Sequence, residues 1–179
     1  MKRWAVVAIG LTMVVVAVPV AAQVTFGPQL VWGDDTDFGV GGRVDFDLAG
    51  PLAIVDGPFQ DLFGSVTGSY FFWDCPSFGT DTTADCGVIE FNANASVPFS
   101  VEGSSVLGYL GGGLHLARLS VDYTTPTLGD LDLRSDTDIG LNVLGGVKFP
   151  LAGMTGFVEG KFGVAGAEQF VFSVGLLFD

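Results

Sequence analysis

The strongest constraint on this sequence is the spacing of its apolar residues. Beyond residue 22, apolar side chains occur in segments of about ten, where they alternate with small or polar residues. In the last segment, Phe170, Phe172, Val174, Leu176 and Phe178 occupy alternate positions. Alternation with a period of two is typical of a β-strand whose two faces meet different surroundings.

Eight segments carry this pattern, and no long helical pattern separates them. We therefore predict strands near residues 24–32, 37–48, 62–73, 87–97, 106–119, 136–148, 155–164 and 168–178. Without helical crossovers, consecutive strands are joined by turns and run antiparallel. The sequence predicts an all-β fold, an eight-stranded antiparallel up-and-down transmembrane β-barrel.

Volume and charge indicate which face of these strands looks outward. Eight strands enclose a bore only wide enough for side chains or one small ligand, and 16 Phe with 3 Trp would overfill it. A soluble exterior would also need more than 15% charged residues. We expect the apolar face to meet lipid and the sheet to close, because open edges in hydrocarbon leave backbone groups unpaired.

Aromatic residues fall near the ends of the predicted strands, as expected for girdles at two lipid boundaries. One girdle is predicted to contain Trp32, Phe38, Tyr70, Phe72, Trp73, Tyr123 and Phe170. The other is predicted to contain Phe26, Phe46, Phe63, Phe99, Phe149 and Phe178.

The first 22 residues are typical of a secretory signal peptide. Lys2 and Arg3 precede an apolar run over residues 4–18, and small residues follow up to Ala22. The run is shorter than the roughly 20 residues of a retained membrane helix. We expect cleavage near Ala22, which leaves residues 23–179 as the barrel domain.

Charge excludes nucleic acid as a partner. The whole chain carries a net charge of −13, and loss of the signal peptide leaves five basic residues against 20 acidic ones. Phosphate binding requires clustered cations, which such a chain lacks.

The two cysteines, Cys75 and Cys86, lie close together in a chain expected to be exported. An oxidising compartment keeps disulfides, so we expect these residues to be bridged. A zinc site needs more ligands than two cysteines and one histidine supply. No cofactor is expected.

These residues together resemble the eight-stranded outer-membrane β-barrel family of OmpA-like and OmpX-like proteins, often labelled porin-family barrels. The resemblance covers nearly all of the mature chain and is most specific in residues 156–162 and 168–178. This terminal hairpin looks like the one that the family's insertion machinery recognises by alternating apolar residues and a final aromatic. Here Asp179 follows the final Phe178.

The resemblance implies the outer membrane of a Gram-negative-type bacterium, with the lipid bilayer and lipopolysaccharide as partners and both termini in the periplasm. In that orientation the connection near residues 49–60 fits poorly, because periplasmic turns in such barrels are short.

Charged residues fall on the face predicted to line the interior. They are Arg43, Asp45, Asp47, Glu90, His115, Lys148, Glu159 and Lys161, accompanied by Asn92, Asn94 and Asn142. Because an unpaired buried charge is costly, we expect a salt-bridged polar plug. The alternative is a gated narrow pore in which Arg43 or Lys161 exchanges carboxylate partners.

The loops on the side opposite the termini are acidic. Candidate residues for binding divalent cations are Asp34, Asp35, Asp81, Asp85, Asp130 and Asp132. Carboxylates suit calcium or magnesium, which could bridge to lipopolysaccharide phosphates. No segment matches the spacing of a calcium loop, so a solvated acidic rim is the alternative.

An enzymatic function is not expected. His115 is the only histidine, and the sequence has neither a G-x-S-x-G turn nor a matching Ser-His spacing. We expect a structural or surface-interaction protein of the outer membrane. A small channel for solutes or ions is the alternative, ahead of a soluble lipocalin-like carrier or a lipid A-modifying enzyme.

Overall fold

The computed structural model of the chain describes residues 24–73, 83–125, 129–166 and 168–179. These residues form a closed barrel in which every strand pairs with its chain neighbours. The strands are β1 (Val24–Gly33), β2 (Asp37–Asp47), β3 (Phe63–Trp73), β4 (Thr83–Ser100), β5 (Leu107–Thr125), β6 (Gly129–Leu151), β7 (Met154–Ala165) and β8 (Phe170–Leu177). The predicted fold class is confirmed. The predicted signal peptide lies outside the described residues.

The barrel closes by antiparallel pairing of β1 with β8. Their ladder runs from the pair Gln29 and Gly175 to the pair Gly33 and Val171. A bridge between Phe26 and Phe178 extends the junction towards the two termini. The last strand, in which the alternation of apolar residues is clearest, is therefore the one that completes the wall.

Three strands are longer than the sequence pattern predicts. β6 has 23 residues and β8 only 8. Pairing of β5 with β6 starts at Thr125 and Gly129, whereas pairing of β6 with β7 starts at Leu141 and Ala165. Strands β4, β5 and β6 therefore project beyond the rest of the wall, away from the termini. At about 3.4 Å per residue, residues 129–140 extend roughly 40 Å along the strand.

Turns at the terminal end of the barrel differ in length. Residues 48–62 join β2 to β3, residues 101–106 join β4 to β5, and residues 152–153 join β6 to β7. Ala152 and Gly153 have φ values of 50° and 83°, as a tight two-residue hairpin requires. Within the described ranges, no helix is long and apolar enough to cross a membrane.

The two faces of the wall separate apolar from polar side chains as expected. Outward-facing Leu110, Leu114 and Ile139 are 63%, 59% and 70% exposed. Inward-facing Arg43 and Glu90 are each 1% exposed. A soluble carrier of lipocalin type would need the opposite arrangement, with its apolar face inside.

Aromatic rings from neighbouring strands pack over outward-facing glycines. A Cβ atom built on any of six glycines would press against such a ring. The pairs are Gly64 with Phe46, Gly68 with Phe91, Gly87 with Tyr70, Gly108 with Phe99, Gly156 with Phe149 and Gly160 with Phe170. Each ring covers backbone that the glycine leaves bare, which stabilises the pairing of adjacent strands.

The prediction that Phe63 belongs to an outer girdle is wrong. Its ring packs edge-on against Tyr109, with 5.5 Å between centroids, inside the barrel. The interior also contains Phe71, Tyr109 and Phe157, each 0% exposed. The barrel therefore accommodates four aromatic rings beside its charges, because many other inward positions are Gly or Ser.

A valine at Gly108 should destabilise the barrel, because its side chain must displace the Phe99 ring. We expect Gly108→Val to lower the free energy of unfolding by about 1 to 3 kcal/mol, as overpacking does elsewhere. Ala95→Val is the matched control, because Ala95 is an exposed outward residue on β4. Urea titration in phospholipid vesicles measures the stability of both variants. Equal stabilities would contradict the packing of Phe99 over Gly108.

Candidate functional site

The barrel interior contains the residues with functional potential, arranged in layers. Nearest the termini is a basal ion cluster of Arg43, Asp45, Tyr109, Lys148 and Glu159. Beyond it lies an upper ion cluster of Glu90, Asn92, His115, Lys161 and Gln169. Towards the projecting strands, an apolar layer is formed by Val31, Phe71, Val88, Ala117 and Val171.

Arg43 organises the basal ion cluster. Its Nε lies 2.6 Å from Asp45 Oδ1 on the same strand, and its Nη1 lies 2.6 Å from Glu159 Oε2 on β7. Tyr109 donates a 3.0 Å hydrogen bond to the same Glu159 oxygen. Lys148 completes the cluster with its Nζ 2.7 Å from Asp45 Oδ2. Charge-assisted bonds of this kind fix geometry strongly, and here they join β2, β6 and β7 across the bore.

Aromatic rings complete the surroundings of the basal cations. The Arg43 guanidinium lies 4.7 Å from the centroid of the Phe157 ring and 5.7 Å from that of Tyr109. Lys148 Nζ lies 3.7 Å from the centroid of the Phe63 ring. Cation–π attraction is strongest where water is excluded, so these rings both fill the bore and stabilise its charges.

Glu90 is the centre of the upper ion cluster. It pairs with Lys161 through Oε1, which also accepts a 2.7 Å hydrogen bond from Asn92. Oε2 accepts a 2.8 Å hydrogen bond from Gln169 in the β7–β8 turn, and His115 Nδ1 lies 3.9 Å from this oxygen. A buried carboxylate with several donors is well compensated for the loss of water.

The polar chain of the upper cluster continues around the wall. Asn92 donates to Thr67 Oγ1 at 3.1 Å, and Asn142 donates to Asn92 Oδ1 at 3.1 Å. Asn142 also lies 3.4 Å from the Leu114 carbonyl on β5, to which it donates. Four consecutive strands, β3 to β6, are thus tied at one level by neutral groups that extend the network from Glu90.

Seven of the eight expected interior residues lie in the two clusters, and Asp47 does not. Asp47 ends β2, and its carboxylate accepts hydrogen bonds from the backbone N–H groups of Ala49 and Gly50 at 2.9 and 3.0 Å. It is a turn cap rather than a member of the interior network. The alternating pattern placed Asp47 on the correct face of β2, but it could not show that the strand ends at this residue.

A third polar level lies on β3 and β4. Ser65, Asn94 and Ser96 are buried, and within the described ranges their side chains have no hydrogen-bond partner. Asn94 and Ser96 pair in register with Gly113 and Gly111 of β5. Since buried polar groups normally have partners, these side chains are interior donors and acceptors that remain available at this level.

The acidic residues predicted to bind cations are only partly described. Asp34 and Asp35 are exposed in the β1–β2 turn, and Asp34 accepts a 2.9 Å hydrogen bond from the Phe170 backbone. Asp81 lies outside the described residues, as do the side chains of Asp85, Asp130 and Asp132. No group of three metal-ligating side chains occurs in the described part of the chain.

The expected disulfide also falls outside the description. Cys75 lies in the omitted segment 74–82, and Cys86 lies in β4 without a described side chain. The bridge between them stays a prediction from sequence.

His115 faces inward as expected. In the described part of the chain its Nε2 has no hydrogen-bond partner, and its nearest acid is Glu90. A nucleophile activated by His115 would have to contact that nitrogen, so the described side chains form no Ser-His pair.

Sequence reasoning missed several interior residues, including Tyr109, Phe157 and Gln169. Phe157 shares the parity of Glu159 and Lys161, so its inward direction was available from alternation alone. Tyr109 likewise shares the parity of His115. Gln169 likewise shares the parity of Val171 and Ser173 in the predicted strand 168–178, but the structure places it just before β8, where it donates to Glu90.

Comparison with known proteins identifies the fold. Neisserial surface protein A is 21% identical to this chain, with a TM-score of 0.53. The match covers 86% of this chain and 92% of that one. A major outer membrane protein from Thermus thermophilus is 13% identical with a TM-score of 0.60, covering 87% of this chain and 98% of its own.

The attachment invasion locus protein Ail of Yersinia pestis, solved with the heparin analogue sucrose octasulfate, is also similar. It is 11% identical with a TM-score of 0.53, and the match covers 87% of this chain and 94% of that one. No protein-family model and no curated protein matches the sequence. The chain therefore has the fold of small outer-membrane β-barrels.

Loss of the Lys161 charge should destabilise the barrel, because Glu90 would stay buried without its cation. We expect Lys161→Met to lower the free energy of unfolding by about 3 to 5 kcal/mol. Adding Glu90→Gln should recover most of this loss, because the remaining groups are neutral. The control is Glu168→Gln, since Glu168 is exposed. A double variant no more stable than Lys161→Met would refute the pairing.

Proposed function

We propose that this protein is an exported outer-membrane β-barrel with a structural or surface-interaction role and an interior closed by paired charges. The observation that carries the proposal is the inversion of ordinary globular packing. Ile139 and Leu114 are exposed on the outside, while Arg43 and Glu90 are buried at the centre. Only an apolar solvent makes that arrangement favourable on both faces.

Two features support a closed interior. The contact between Arg43 and Glu159 and that between Lys161 and Glu90 each link distant strands. Separating either pair within the bore would leave charges without partners, at high cost. The rings of Phe71, Tyr109 and Phe157 fill much of the remaining section.

The projecting part of strands β4, β5 and β6 supports a surface-interaction role. This sheet extends well past the wall formed by β7 and β8, on the side opposite the termini. If the termini face the periplasm, it stands outside the cell. Ail, which is similar in fold, was solved with a polyanion. The acidic charge of this chain instead favours a cationic partner, because like charges repel.

Partners in the membrane follow from the same placement. The bilayer covers the apolar band, and lipopolysaccharide surrounds the outer rim, where divalent cations would bridge its phosphates to exposed carboxylates such as Asp34 and Asp35. Strand β8, with its alternating apolar residues, and Phe178, which directly follows it, form the segment that we assign to the insertion machinery. Export requires removal of the signal peptide near Ala22.

A narrow channel is the second candidate. The unpartnered polar groups of Ser65, Asn94 and Ser96 favour it, because they would solvate a small polar solute inside the bore. Such a channel requires the ion pairs on either side to open. No enzymatic role is proposed.

A closed interior predicts that the protein conducts no measurable ion current across a planar bilayer. We expect no resolved openings for the protein in planar-bilayer recording, and none for Arg43→Ala, because the surrounding rings still block the bore. Asp34→Asn, an exposed change outside the bore, is the matched control, and a known porin verifies the bilayers. Discrete openings of the unchanged protein that become more frequent in Arg43→Ala, but not in Asp34→Asn, would favour the channel.

Orientation and localisation predict which turns antibodies reach on whole cells. An epitope inserted at residues 126–128, between β5 and β6, should be labelled on intact cells. The same epitope inserted at residues 101–106 should be labelled only after the outer membrane is permeabilised. Labelling of the second insertion alone would reverse the orientation, and recovery of the protein in the soluble fraction would reject the membrane placement.

A further inference from the structure

The turn between β2 and β3 is the feature that a closed barrel leaves unexplained. It occupies residues 48–62, whereas residues 152–153 suffice to join β6 to β7 at the same end. Turns on the terminal side of such barrels are usually short. A turn this long at this end adds a surface that the barrel itself does not need.

This turn has a fixed internal structure. The backbone N–H groups of Leu48 and Ala49 donate to the Leu62 carbonyl at 3.0 and 3.1 Å, which closes its base. Ile54 donates to the Ala49 carbonyl at 2.9 Å, and Asp47 caps the first residues. Ala49 is only 3% exposed, so the turn is anchored to the barrel and presents its outer residues in a defined arrangement.

The outer residues of the turn are apolar and exposed. Val55 is 85% exposed, Leu52 is 59% and Phe59 is 52%. The only charged residues of segment 48–62 are Asp56 and Asp61, so the segment has no cation. Three exposed apolar side chains within eight residues of one ordered segment indicate a surface that is covered in use.

The position of the turn identifies what covers it. Leu48 and the Phe46 ring both lie against Gly64 on the outward face, so the chain leaves β2 from the lipid-facing side. The ends of neighbouring strands continue the apolar rim, since Phe99 on β4 and Leu151 on β6 are 50% and 44% exposed. The exposed surface of the turn is thus continuous with the band that meets lipid.

We propose that turn 48–62 is an interfacial anchor that inserts Leu52, Val55 and Phe59 at the boundary between headgroups and acyl chains. The leaflet is the one on the terminal side of the barrel, and the inference rests on the proposed membrane placement. Because Asp56 and Asp61 are the only charges, binding is hydrophobic, needs no anionic lipid and is insensitive to salt.

The experiment uses single tryptophans in the mature barrel, folded into phosphatidylcholine vesicles with brominated acyl chains. Trp32→Phe and Trp73→Phe provide the background. Val55→Trp reports on the anchor, and Ser104→Trp in the 101–106 turn is the matched control at the same end. Leu114→Trp on the lipid-facing wall reports that the barrel has inserted.

We expect bromine near the headgroups to quench Val55→Trp at least about twofold more than Ser104→Trp, with no change on adding salt. Quenching of Val55→Trp no greater than that of Ser104→Trp, with Leu114→Trp quenched, would overturn the anchor and leave the membrane barrel intact. A blue shift of Val55→Trp that depends on protein-to-lipid ratio without quenching would assign the surface to a second copy, which also overturns it. Absence of quenching at Leu114→Trp would reject the membrane placement itself.

Discussion

The absence of hydrogen-bonding solvent in hydrocarbon is the constraint on which this structure depends. Each backbone N–H and C=O group at membrane depth must find a partner within the protein. Joining β1 to β8 meets that requirement where an open sheet could not. Outward glycines such as Gly108, covered by the Phe99 ring, let neighbouring strands pack closely beneath aromatic side chains. The same solvent then makes an apolar exterior favourable.

Closure determines what the interior can contain. Eight strands leave a bore that side chains fill, so each inward charge must meet an opposite charge or lose its water without compensation. Arg43 with Glu159 and Lys161 with Glu90 meet this demand across the bore. The unpartnered groups of Ser65, Asn94 and Ser96 mark the level at which side-chain pairing is least complete. The stability of the barrel and the proposed closure of its bore therefore depend on the same residues.

The strand number, the fold class and the direction of most side chains were predictable, because a period of two is encoded locally. Phe63 was placed on the wrong face because its aromatic character was given more weight than its parity with Ser65 and Thr67. The upper parts of β5 and β6 were missed because alternating acidic residues, such as Asp130 and Asp132, are also typical of loops. Partner choice within the bore could not be predicted, because the pairing of Arg43 with Glu159 depends on how the closed wall brings separate strands together.

The central claim is that the outward face meets acyl chains and the inward face does not. Nuclear Overhauser effects between lipid methylenes and side-chain methyl groups test it directly in nanodiscs with perdeuterated, methyl-labelled protein. The proposed placement predicts cross-peaks from acyl chains to Val143 and Leu114 and none to Leu144 or Leu177, which are buried inside. Cross-peaks to Leu144 and Leu177 in the absence of any to Val143 would contradict it.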